Sequence, residues 1–202
     1  FLPQKKQEPG RSPLLYGPLF FYNAAMDDRD KVLEELDAFH QDVDDQAARL
    51  ETIHAERLEC KAGCADCCVD DLAVFDVEAE LIRRRHKVLL SVMTPHPTGA
   101  CAFLDDERQC LIYENRPYVC RTQGLPLSWT ESRDNGTFRE FRDICPLNDE
   151  GEPIEELPLD SCWVIGTYEG KLAELQRRWG GGDMKRVRLR ELLPAPRCPE
   201  GK

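Results

Sequence analysis

No apolar run in this 202-residue chain reaches the roughly 18 residues needed to cross a bilayer. The best candidate, Leu14 to Tyr22, is broken by Gly17 and Pro18 and does not have the form of a secretory signal. No phosphate-binding glycine loop, Ser-His-Asp set or paired-carboxylate site stands out, and no cysteine–histidine pair has zinc-finger spacing. Positive charge is scarce as well. The 27 Lys and Arg stand against 38 Asp and Glu, for a net charge of -11. That balance argues against nonspecific binding to nucleic acid or to an anionic membrane. Acids crowd residues 26–59 and bases crowd residues 171–190, a pattern expected of solvated helix faces.

What the chain has in excess is cysteine, ten in all. Without an export signal, the favoured reading is a reduced, cytoplasmic thiol cluster rather than a secreted disulfide framework. Adjacent Cys67 and Cys68 point the same way, because neighbouring cysteines rarely bridge each other. Cys60, Cys64, Cys67 and Cys68 fall within nine residues around Gly63. Such density is hard to reconcile with core packing. Soft thiolates converging on one point suit zinc, copper(I) or an iron–sulfur cluster. Cys101, Cys110, Cys120 and Cys145 follow in short segments rich in turn residues.

The fold expected is α+β and α-rich: a small, irregular cysteine-cluster domain with a long N-terminal helix and short hairpin-like segments. Residues 1–25, rich in Pro and Gly, read as a disordered leader. Met26 precedes the first ordered pattern and is a candidate start. Residues 26–59 form one helix in this reading, because Val32, Leu36, Phe39, Val43, Ala47, Leu50, Ile53 and Leu58 recur at helical spacing with no Pro or Gly between. Its acidic faces offer a surface for a protein partner, and His40 and His54 lie on or beside its apolar stripe as packed histidines. A second helix is predicted over Val77–Met93, capped by Asp76, with Leu81, Ile82, Val88, Leu89 and Val92 inward. Cys101–Leu104 and Cys110–Tyr113 read as a small hairpin or a pair of knuckles, and Asn135-Gly136 as a turn between strands. A last helix is predicted over Ser161–Trp179, stopped by Gly180 to Gly182. The domain thus spans 26–180, and 181–202 reads as a flexible basic, Pro-rich tail.

Taken together, Cys60-x3-Cys64-x2-Cys67-Cys68, an early helical Glu78, Cys101-Ala-Phe-Leu104, Cys110-Leu-Ile-Tyr113 and Arg116-Pro-Tyr-Val-Cys120-Arg121 resemble the YkgJ-like cysteine-cluster proteins, described as zinc- or iron-chelating. Gly124-Leu-Pro-Leu127 and Cys145-Pro-Leu-Asn148 fit the same pattern. The resemblance covers about residues 60–148, and it implies a cofactor more firmly than a reaction. Cys162 and Cys198 fall outside it and are expected to be dispensable for metal.

Between metals, the spacing favours an iron–sulfur cluster over zinc. Structural zinc usually takes two close cysteine pairs, and here Cys64-x2-Cys67 has no second. Three close cysteines with a remote fourth are ordinary for iron–sulfur ligation. The candidate ligands are Cys60, Cys64, Cys67, Cys68, Cys101, Cys110, Cys120 and Cys145, as one site with extras or as two. Arg116 and Arg121 are candidates to offset thiolate charge near the cofactor, or to form surface ion pairs. A binding protein for cluster handling or electron transfer leads. The alternative is a redox or methyl-transfer enzyme with an open iron position, since a flagellin lysine methylase carries a similar cysteine cluster within a longer protein. A radical S-adenosylmethionine enzyme shares the Cys60, Cys64, Cys67 spacing, but this chain lacks the long strand–helix barrel it would need.

Overall fold

A computed structural model describes residues 27–61 and 63–194. The proposed leader, Met26, the last residues of the tail and Cys198 lie outside them. Of the described residues, 46% are helix and 13% strand, which makes the fold α+β and α-rich.

Helix α1 spans Asp28–Ile53. The apolar stripe sets its orientation: Val32, Leu33, Leu36, Phe39, Val43, Ala47 and Leu50 are all buried. Asp28 and Asp30 occupy the first turn, where the helix dipole favours acids. The helix ends earlier than expected, at His54, whose Nε2 donates to the Ser161 carbonyl at 2.6 Å. Ile53 is exposed, while Leu58 packs on the core from the following loop. Several acids of α1 are matched within the chain: Asp30 with Arg84, Glu35 with Arg178, Asp37 with Arg85, Asp42 with Lys171 and Asp44 with Arg121.

Strand β1 (Ala73–Phe75) leads directly into α2 (Asp76–Arg85). Asp76 is the first helical residue rather than the cap, which is Phe75. Helix α2 serves two cores. Val77 and Leu81 join α1, Tyr118, Trp163 and the last helix, whereas Ala79 and Ile82 join Val74, Phe103, Ile112 and Val187. The single helix expected over 77–93 is interrupted at His86, which has φ -113° and ψ 25° and lies 2.9 Å through Nε2 from Asn115 Oδ1. A short α3 (Lys87–Val92) follows in a new direction. Val88 and Val92, expected inward, are therefore exposed.

The Cys101–Tyr113 hairpin exists in minimal form as one antiparallel bridge, Leu104 to Cys110. Helix α4 (Tyr118–Arg121) is a single turn entered from Pro117. Strands β2 (Leu127–Ser132) and β3 (Phe138–Asp143) pair antiparallel around Asn135-Gly136, as expected from that turn signal.

The final helix begins later than predicted. Leu159–Ser161 is a 3-10 turn, and Trp163–Val164 forms β4, parallel to β2. The Trp163 N–H donates to the Pro126 carbonyl at 2.7 Å, and its ring N–H to the Tyr118 hydroxyl at 2.9 Å. These two bonds hold a bulky aromatic in extended backbone until α5 (Ile165–Trp179) starts. Cys162 is thus not in the first turn of a helix. It is buried before β4, with its sulfur 2.7 Å from Arg142 Nη1.

The tail expected to be flexible from 181 is ordered over its first part. Strand β5 (Arg186–Arg188) pairs antiparallel with β1, and Leu189–Leu192 continues as a 3-10 turn. Val187, Leu189 and Leu193 are buried in the second core. Alternation within Arg186-Val187-Arg188-Leu189 places the apolar residues on one face, as a strand requires.

Candidate metal centre

The cysteine run leaves α1 in a tight path. The Cys64 N–H closes a turn on the Lys61 carbonyl at 2.9 Å, Gly63 adopts φ +84°, and the Cys68 N–H reaches the Ala65 carbonyl at 3.0 Å. Three other segments come against this loop: the 101–110 hairpin, helix α4 with Cys120, and the turn at Cys145. Nine cysteines, the eight candidates and Cys162, are free thiols; Cys60 and Cys67 are exposed and the other six candidates half-buried.

Asn148 builds one side of the centre. It is fully buried. Its Oδ1 accepts the Glu59 N–H at 2.8 Å, while Nδ2 donates to the Gly124 carbonyl at 2.8 Å and to Cys60 Sγ at 3.3 Å. Its own N–H donates to the Cys145 carbonyl at 2.8 Å. One amide thus joins three segments distant in sequence. Gly124 completes this wall. At φ +94°, a Cβ there would stand 2.5 Å from Cys60 Sγ and 3.2 Å from Asn148 Nδ2. The backbone comes this close to the sulfur because residue 124 has no side chain.

Glu78 builds another side. It is buried, accepts the Tyr118 N–H at 2.8 Å and lies 3.4 Å from His40 Nε2. The carboxylate fixes the start of α4 and therefore the position of Cys120. His40 faces this carboxylate, and His54 is engaged by Ser161, in keeping with packed histidines.

The thiols are electrostatically coupled. Burial pushes Cys60, Cys101, Cys110 and, most strongly, Cys120 above the ordinary range. The Cys68 thiol hydrogen-bonds to the Cys67 sulfur. That bond brings Cys67 down to about 6 and raises Cys68, whose burial adds to the rise. Buried thiols that resist ionisation in isolation are stabilised as thiolates by a bound cation.

The two arginines behave differently. Arg116 stacks on the Tyr113 ring at 4.1 Å and its charge favours the Cys110 thiolate. Arg121 is buried and bonds to Asp44 and to the carbonyls of Glu114 and Arg116. Its contacts order the loop before Cys120 rather than reach a thiol. Sequence reasoning missed Arg190. It pairs with Asp70, donates to the carbonyls of His96 and Ala100, and favours the Cys101 thiolate. Assigning it to the tail hid this role.

Among the described residues, no three Cys, His, Asp or Glu side chains converge closely enough to grip an ion as they stand. The residues nevertheless fit a thiophilic metal. Eight soft donors line one region, a buried amide donates to one sulfur, and a glycine clears space beside it. No helix among them is long and apolar enough to cross a membrane.

Soft sulfur donors on irregular loops, held by hydrogen bonds rather than by a regular scaffold, are what a thiolate metal-chelating domain presents. Residues 59–146, the stretch that holds all eight candidate cysteines, match the model of the CxxCxxCC family, described as "putative zinc- or iron-chelating domain". A search of curated proteins found no match, and neither did a search of solved structures.

Proposed function

We propose that the domain holds an iron–sulfur cluster and serves in cluster handling or electron transfer. The match of residues 59–146 to the CxxCxxCC model supports zinc or iron chelation. The observation that carries the choice of iron–sulfur is how the ligands are supplied. Apart from the 60–68 run, each segment delivers isolated cysteines, and the hairpin does not form a second close pair. Iron–sulfur ligation accommodates such scattered donors, whereas structural zinc favours paired knuckles. Exposed Cys60 and Cys67 put one edge of the centre at the surface, which suits exchange of a cluster or an electron with another protein. A reducing, cytoplasmic setting belongs to this reading, because a thiolate centre needs its cysteines unbridged. A protein partner would meet the outer face of α1, where Glu34, Asp45 and Glu51 are exposed.

A second reading is a redox or methyl-transfer enzyme. It is favoured by one observation, a cavity of about 410 Å³ beside α4, lined by Glu78, Tyr118, Val119, Thr122, Ile165 and Leu172 among others. The cavity borders the segment that carries Cys120.

Anaerobic purification with iron, zinc and acid-labile sulfide analysis tests the proposal. Iron and sulfide in comparable amounts, with a visible absorption band bleached by dithionite, are expected. Stoichiometric zinc without sulfide overturns the iron–sulfur reading.

A further inference from the structure

The cavity of about 410 Å³ is bounded by β1, α2, α4 and α5, with Arg186 of β5 at its edge, and no cysteine lines it. Its size lies within the range of small-molecule sites, roughly 300–1,000 Å³. The inner lining is buried: Val74, Phe75, Glu78, Tyr118, Thr122 and Leu172. The outer lining is exposed and polar: Gln123, Glu169 and Arg186. A mostly apolar interior with few polar groups, open to water at one end, has the form of a ligand site.

Glu78 is the charged group at the inner end, and it is only 3% exposed. Both of its contacts use one oxygen: Oε1 accepts the Tyr118 N–H at 2.8 Å and lies 3.4 Å from His40 Nε2. Oε2 has no partner among the described residues, and protein atoms do not seal it off. The side chain is otherwise enclosed, so the cavity it lines is what reaches that oxygen. A buried carboxylate oxygen is costly unless a donor or a cation meets it. At the rim, Glu169 adds a second negative charge. Arg186 is the one cation of the lining, and it is engaged. Its guanidinium lies 4.2 Å over the Phe75 ring, and Nη1 donates to the Ala73 carbonyl at 3.4 Å. Phe75 and Arg186 are partners across β1 and β5, so the strand pairing keeps the arginine there.

We propose that this cavity binds a small organic amine, with its apolar body against Phe75, Ile165 and Leu172 and its ammonium group on Oε2 of Glu78. The ammonium donates to a carboxylate oxygen that lacks any other partner. Such a bond is charge-assisted, and enclosure strengthens it. An anionic ligand would meet Glu78 and Glu169 with like charge, and the engaged Arg186 alone would oppose them. The same carboxylate holds the start of α4, so the bound amine and the Cys120 segment share one anchor. The inference rests on the cavity and not on the metal. Iron, zinc and sulfide content decide the chelation reading, and amine binding decides this one.

Ligand-observed NMR titrations of the full chain, as purified anaerobically, test this with three probes that share one alkyl chain length: n-hexylamine, n-hexanol and hexanoate. Hexylamine should bind at least about tenfold tighter than hexanol, because only the amine brings a cation to the carboxylate. Hexanoate should bind weakest. Glu78→Gln keeps an acceptor for the Tyr118 N–H and removes the charge, so it should bring hexylamine to the affinity of hexanol. Ala173→Phe fills the cavity from α5 without touching the carboxylate, and should weaken amine and alcohol alike. Equal affinity for the three probes, tighter binding of hexanoate, or no binding of hexylamine overturns the proposal. A preference for hexylamine that survives in folded Glu78→Gln takes the ammonium away from Glu78 and overturns it too. Should Glu78→Gln not fold, Ala173→Phe decides: unchanged hexylamine binding puts the amine outside the cavity and overturns the proposal.

Discussion

Gly124→Ala probes the wall of the centre, and Gly136→Ala supplies its control. Both glycines have positive φ, +94° and +76°. A side chain in that backbone region costs roughly 1–2 kcal/mol wherever it occurs. At Gly136 nothing lies within 4 Å of the added Cβ, so that cost is the whole effect. At Gly124 the Cβ would lie 2.5 Å from Cys60 Sγ. In the metal-free chain the exposed cysteine can swing away, giving up its bond from Asn148, worth about 1 kcal/mol. The two variants should therefore differ by about 1 kcal/mol without metal, or roughly 2–4 °C in melting temperature for a chain of this size. With metal bound, the sulfur is pinned and cannot yield. The gap should then widen to about 2 kcal/mol or more, and the added 1 kcal/mol corresponds to a roughly fivefold loss of metal affinity. Anaerobic urea denaturation of both variants, loaded and stripped, measures these gaps. Equal costs for the two variants in both states would refute the view that the Gly124 backbone is shaped around a metal-bound Cys60.

Asn148→Ala should destabilise the metal-free chain by roughly 1–3 kcal/mol, because it leaves the Gly124 carbonyl buried without a partner and removes the bond to the Glu59 N–H; a loss well under about 1 kcal/mol in urea titrations would show that water replaces the amide. Cys60, Cys101 and Cys110 have folded-state pKa values raised above the 9.0 of a free thiol, mainly by burial. Raised values contribute stability that is complete below the unfolded pKa and is lost as pH rises through the folded one. The stripped chain should thus weaken as pH rises past about 9, and the loaded chain should not, since its thiolates are already formed; parallel denaturation midpoints across pH 8–10 check this. The Cys162→Ser/Cys198→Ser variant should retain full metal content, since Cys162 is buried against Arg142 away from the eight candidates; loss of one equivalent by elemental analysis would contradict that assignment.

Long, periodic elements were legible in the sequence. The stripe of α1 and the Asn135-Gly136 hairpin carry their own local signals. The elements that sequence reading missed are short and depend on distant partners. Strand β4 has two residues and exists because Trp163 bonds to Pro126 and Tyr118. Strand β5 has three and is paired with a segment more than a hundred residues earlier. The break at His86 follows the same rule, since Asn115 meets its ring from another loop. For the candidate centre, spacing singled out eight cysteines as candidates, but not which of them are neighbours. That is decided by Asn148, Gly124, Glu78 and Arg190, whose local sequence gives no hint of a sulfur nearby. Asn148 and Gly124 stood inside recognisable motifs, so their presence was noticed and their role was not.

The pairing of β1 with β5 bears on how the protein is made. Ala73 meets Arg188, so the second core, on which Cys101 and Cys110 rest, cannot close until the ribosome has released residues near 188. All eight candidate cysteines emerge before that point. During this interval the thiols lie on loops whose apolar support is incomplete, open to oxidation or to capture by whichever metal arrives first. Closing so long a loop is also entropically costly and slow. A metal or cluster delivered during synthesis would gather the cysteine segments early and shorten the loop left to close. The C-terminal strand would then act as a latch, fastened over a centre already filled.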